Sequence, residues 1–161
     1  MASDESWKGI VATSLDWEQA HLSLENALKD LPANLRGSRP EGLPHSPWDV
    51  VEHIRISQHD LLDFCQNPNY HHDLDWPDDY WPPAQDTISD ESWDKSLAEI
   101  RRDRDAFKRF TTEPGRDLTA KIPKGTGQTY LRTVLVAVDH AGYHMGELVA
   151  IRRLLGAWPT G

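Results

Sequence analysis

The sequence predicts an all-α fold, a four-helix bundle forming one domain over residues 1–161. Three observations carry that expectation. Apolar residues recur at helical spacing in four segments, Pro- and Gly-rich breaks separate those segments, and no useful stretch alternates in the manner of a strand. A chain of 161 residues can bury a core without disulfides or a structural metal, so any metal would serve function rather than folding.

The first helix is expected from about Ser6 to Leu31, with Ile10, Leu15, Leu22, Leu24, Leu28 and Leu31 facing the core, and Pro32 and Gly37 ending it. The second opens at HSPWDVVEHI: Ser46 can cap free backbone N–H groups, Pro47 suits the first turn, and Asp49 completes a capping-box pattern. It should run to about Gln66. NPNYHHDLDWPDDYWPPAQDT, from Asn67 to Thr87, reads as an ordered loop; loops this long inside a compact domain are usually functional. A third helix from Ser89 to about Thr111 carries Trp93, Leu97, Ile100, Phe107 and Phe110. The fourth runs from about Thr129 to Leu155, with Gly156 in the stop position.

The formal charge is −9 with no basic cluster, which opposes binding to a phosphate backbone and excludes nucleic acid as a partner. No apolar run reaches the roughly 18 residues of a membrane span. The single cysteine, Cys65, cannot form an internal disulfide, and MASDESWKGI lacks the pattern of a secretory signal, so a cytoplasmic location is expected.

The segment VDHAGYHMGELVAIRRLLG places His140 and His144 one turn apart. Residues four apart on a helix share a face, close enough for both imidazoles to reach one ion. The same face carries Thr133, Ala137, Ile151 and Leu155, so the pair points inward; the alternative is a buried pair that merely hydrogen-bonds. Ala141 follows His140, so this is not HExxH, and a peptidase loses its main support. A third ligand must come from another helix. His53 lies at the edge of the stripe Val50, Val51, Ile54, Leu61 and Cys65, whereas His59 falls on the opposite side. His71, His72 and His21 read as surface or loop residues, and His45, just before the Ser46 cap, stays open.

WDVVEHI, the acidic YWPP loop and the closing DHAGYHMGELVAIRRLLG together resemble the DinB/YfiT-like superfamily over nearly the whole chain. The resemblance implies a four-helix bundle, often a homodimer, with a divalent metal held by one histidine of the second helix and two of the fourth. By matched position these are His53, His140 and His144. It further implies a thiol-dependent S-transferase acting on small electrophiles in stress or detoxification, since characterised relatives use thiols such as bacillithiol or mycothiol. Many relatives carry a histidine in the IPxG turn, where this chain has Lys124.

Three neutral imidazoles leave coordination positions open, the pattern of a catalytic site. Zinc and nickel suit the set best, and iron and manganese also accept it. Glu147 could orient a ligand or coordinate weakly, or else pair with Arg109 or another cation. Trp76, Tyr80 and Trp81 could wall a substrate pocket, or else cover the bundle end or a dimer contact. Trp17, Trp48 and Trp93 read as core or interface packing, and Arg152 and Arg153 suit the C-terminal helix dipole. GxSxG, GxGxxG and P-loop motifs are absent. The competing functions are a non-catalytic metal- or ligand-binding helical dimer acting as sensor or scaffold, and a metal-activated hydrolase.

Overall fold

The computed structural model describes residues 2–16 and 20–159, with side chains from Trp7 onward. It bears out the all-α fold. Five α-helices occur among the described residues: α1 (Ala2–Ser14), α2 (Leu24–Leu28), α3 (Pro47–Gln66), α4 (Asp90–Thr112) and α5 (Tyr130–Leu154). There is no strand among them, only one isolated bridge between Lys121 and Thr129 in the connection before α5. Among the described residues no helix is long and apolar enough to cross a membrane.

Each long helix starts where a side-chain oxygen can take up an orphan N–H. Ser46 accepts from Asp49 N while the Asp49 carboxylate accepts from Ser46 N, the reciprocal capping box expected for α3. Ser89 caps α4 through Ser92 N, and Thr129 caps α5 through Arg132 N. Gly156, at φ 68°, takes the left-handed conformation that ends α5.

The predicted first helix is two pieces. α1 stops at Ser14, and Ser23 starts α2 by accepting from Asn26 N. Leu15, Leu24, Leu28 and Leu31 are buried as expected, but Ile10 and Leu22 are exposed. A cap-forming serine inside an apolar pattern competes with helix continuation, and here it wins. Trp17 lies outside the described residues.

α3 packs against both α4 and α5, and α1 packs on α4 and α5. The core has two parts. One joins α2, the N-terminal half of α3 and the C-terminal half of α5 through Leu24, Val50, Val51, Ile54, Met145, Leu148 and Ile151. The other joins Leu62, Phe107, Phe110, Leu118, Val134 and Ala137 at the far end. Each fully buried side chain of this kind contributes about 1.5–3 kcal/mol. Along α3 the stripe passes from the first part to the second across buried His53, Ser57 and Gln58. This polar junction is where the histidines meet.

Arg152, expected to suit the dipole at the C-terminal end of the last helix, lies in its last turn and is only 1% exposed. Its guanidinium donates to the carbonyls of Ala27 (2.5 Å), Lys29 (2.9 Å) and Ala157 (2.8 Å). It thereby locks α2 and the segment after α5 together. Gly37 is required by close approach: a Cβ there would lie 2.5 Å from Gln85 O and 2.6 Å from Asp86 O. Only glycine lets this loop press against the one that carries Trp81.

Candidate metal centre

α3 supplies His53 and α5 supplies His140 and His144, and the structure brings the three together. Their candidate ligand nitrogens all lie within 4.8 Å of one another. The ring centroids are 4.8 Å (His53–His140), 4.6 Å (His53–His144) and 4.4 Å (His140–His144) apart. His53 and His144 are buried, at 2% and 5% exposure, while His140 is half-buried and forms the open side.

The ring orientations are set from outside the cluster. His53 Nδ1 lies 2.8 Å from the Tyr80 carbonyl oxygen. A carbonyl can only accept, so Nδ1 carries the proton and Nε2 turns its lone pair inward. His144 Nδ1 lies 2.8 Å from Glu147 Oε2, which orients that ring the same way. The other carboxylate oxygen, Oε1, is 2.8 Å from His45 Nδ1. Carbonyl and carboxylate partners of this kind are what fix the tautomer of metal-ligating histidines.

Inside the cluster, His53 Nε2 and His140 Nε2 are 2.9 Å apart. Two lone pairs at that distance require something electropositive between them, one proton or one cation. Tetrahedral coordination at about 2.0–2.1 Å places ligand nitrogens roughly 3.3 Å apart. The His53–His140 separation is close to this, and His144 offers a nitrogen within 4.8 Å of both. The donor set therefore fits a divalent cation: three imidazoles, two of them anchored through Nδ1.

Electrostatics keep these rings in the ligand-competent form. Burial pushes His53 down to about 4, its neighbour His144 adding to the effect and the Tyr80 carbonyl opposing it. Burial likewise pushes His140 down to about 3, assisted by His144 and His53. At neutral pH both are uncharged. Burial alone would raise Glu147, but the hydrogen bonds from His144 and His45 hold its carboxyl below the usual range, so the carboxylate stays ionised beside the rings.

The acidic loop covers one side. Trp81 stacks on His53 with 3.9 Å between centroids and on His45 at 3.7 Å. Tyr80 is buried, its hydroxyl donating to Asp60 Oδ2 at 2.6 Å, and Tyr70 donates to the other oxygen of Asp60 at 2.8 Å. Asp60 thus pins the loop to α3. Trp76 is 69% exposed and meets Tyr80 edge-on at 5.2 Å. Glu147 pairs with the two histidines rather than with Arg109. His59 is exposed and binds Asp103, and His21, His71 and His72 are exposed.

The three histidines and Glu147, all named from the sequence, lie together in the structure. Sequence reasoning left His45 open and missed the Tyr80 main chain as an orienting group. The visible signal for Glu147 was its i+3 spacing from His144; a main-chain carbonyl leaves none.

Fold and site together define an all-α bundle protein whose three-histidine cluster, open on the His140 side, could hold a metal ion. The chain belongs to the DinB superfamily, whose family model matches residues 16–148 and so spans all three histidines. No curated protein and no solved structure matches the chain.

Proposed function

We propose that the protein is a metal-dependent thiol S-transferase that joins a small external thiol to an electrophile, with His53, His140 and His144 as the metal ligands. One observation carries this reading: three imidazoles converge from two helices, two of them held neutral and two anchored through Nδ1, with His140 on the open side. A divalent cation bound there supplies Lewis acidity that lowers the pKa of a thiol. Zinc or nickel is our expectation for the ion.

The chain's own groups do the rest. The Tyr80 carbonyl and Glu147 hold the two buried rings in register. Trp81 lies over His53 and keeps water off that face. His45, hydrogen-bonded to Glu147 through Nδ1 and partly exposed, is our choice for the group that takes the thiol proton and passes it to solvent. Sulfur then bonds to the electrophilic carbon as the leaving group departs with its electron pair. Trp76 and Tyr80 offer apolar walls for the acceptor.

The thiol must come from outside. Cys65 is buried, its thiol pushed up to about 12 by burial, and it stands about three turns beyond His53, roughly 18 Å along α3. A cytoplasmic homodimer drawing on the cellular pool of small thiols completes the proposal.

The test combines metal analysis with turnover. Purified protein should carry about one divalent ion per chain, lost in His140→Ala, and should consume monobromobimane faster only with a cellular thiol present. Turnover that persists in metal-free His140→Ala defeats the reading. Bound metal without turnover for any thiol points to a sensor or scaffold, and ester hydrolysis without thiol to a hydrolase.

A further inference from the structure

A depression about 750 Å³ in volume opens at the end of the bundle away from the histidine cluster. There the last turns of α3 and α4 meet the 113–129 connection and the start of α5. Its size falls within the roughly 300–1,000 Å³ of small-molecule sites. Phe64 lies eleven positions beyond His53 on α3, roughly 16 Å along the helix, so this space is separate from the histidine cluster.

Phe64, Phe110, Tyr130 and Ile122 form an apolar part of its lining. Its charged residues are Arg109, Arg116 and Lys124 against Glu113 alone, three cations and one carboxylate, a local balance of +2 on a chain of net −9. Glu113 is already engaged by Arg116. Arg109 and Lys124 are exposed, and neither makes an ion pair among the described residues. Arg116 is held against the wall, its guanidinium carbon 4.3 Å from the Phe110 ring centre and 5.6 Å from that of Tyr130. Its Nε is buried yet has no hydrogen-bond partner among the described residues. That Nε is closed to solvent, so a ligand meets this side chain only through its terminal nitrogens.

We infer that this depression binds a small aromatic carboxylate. The ring lies among Phe64, Phe110 and Tyr130, where aromatic contacts add to apolar burial. The carboxylate faces Arg116, with Arg109 and Lys124 completing the charge. A planar monoanion fits better than a phosphate ester, because its single charge needs less desolvation beside apolar walls. Neither the metal nor thiol chemistry enters this inference.

The probes are 2-naphthoate and its uncharged isostere 2-naphthamide, titrated into the full-length chain and followed by amide NMR shifts. At typical ligand efficiency, naphthoate should saturate with Kd on the order of a millimolar or tighter. The shifts should fall in residues 64–68 and 106–130. Naphthamide should bind about tenfold more weakly, and the exposed-site double variant Arg109→Gln/Lys124→Gln should lose a similar factor for naphthoate only. Equal affinity for the two probes overturns the proposal. So do shifts centred on His53 and His140, an absence of saturable shifts at 10 mM probe (about tenfold above the expected Kd), and shifts in these residues that follow protein concentration without probe. The last would mark the depression as an interface between two copies.

Discussion

The indole of Trp81 lies flat on the imidazole of His53, with 3.9 Å between centroids and 2° between planes. The preceding residue, Tyr80, reaches the same ring through its carbonyl at 2.8 Å. The loop is therefore part of the site, since it sets both the tilt and the tautomer of a histidine on another element.

Asp60 carries that arrangement at a distance. Asp60→Ala leaves the hydroxyls of Tyr80 and Tyr70 without their acceptor, and should cost about 1–3 kcal/mol in urea unfolding. Amide exchange should quicken across residues 70–81 while α4 keeps its protection. Unchanged exchange in the loop would mean that the loop is held by something else.

Glu147 bridges His144 and His45. Glu147→Gln keeps the shape but weakens the charge-assisted bond to His144, so divalent-metal affinity, measured by competition with a chromophoric chelator, should fall about 10–100-fold. Full affinity in this variant would show that Glu147 does not orient the ligand.

His53 and His140 are held at about 4 and about 3, below the roughly 6.5 of an imidazole in the unfolded chain. As pH falls below about 6.5, the unfolded chain takes up these protons and the folded chain does not. Stability of the metal-free protein therefore drops through the window from about 6.5 to between 4 and 3, and levels off once the folded rings protonate. Urea midpoints between pH 7.5 and 4.5 should fall more steeply for this chain than for His53→Gln/His140→Gln. Parallel slopes would assign the acid sensitivity to other groups.

How much of this could be seen in advance differs by residue. His140 and His144 were visible because helical spacing puts them on one inward face, His53 because it borders the core stripe of its helix and matches the family pattern, and the α3, α4 and α5 starts because Ser46, Ser89 and Thr129 are caps. The break between α1 and α2 was hidden, since leucines at helical spacing continue across it while Ser23 diverts the backbone. The burial of Arg152 was hidden for a related reason. At the end of a helix a guanidinium satisfies the dipole in solvent equally well, and only the fold puts three carbonyls in its reach.

That placement can be tested. Arg152→Leu removes the donors from the carbonyls of Ala27, Lys29 and Ala157, and should destabilise the protein by about 3 kcal/mol or more. A loss under about 0.5 kcal/mol, the usual range for surface substitutions, would place Arg152 at the surface after all.

Cys65 offers a simple accessibility check. Buried, and with its thiol pushed up to about 12, it should resist iodoacetamide in the native protein and react fully in urea, since the thiolate is the nucleophile. Rapid native labelling would reopen it as a source of the reacting sulfur.

His53 and His140 stand 87 positions apart, and α4 with both its connections lies between them in the chain. A single ion gripping both would tie that whole stretch into a ring, a removable staple between the first and last thirds of the molecule. Saturation a hundredfold above Kd would add about 2.7 kcal/mol to folding by mass action. A thermal melt with and without chelator would then read cation affinity and chain stability from the same curve.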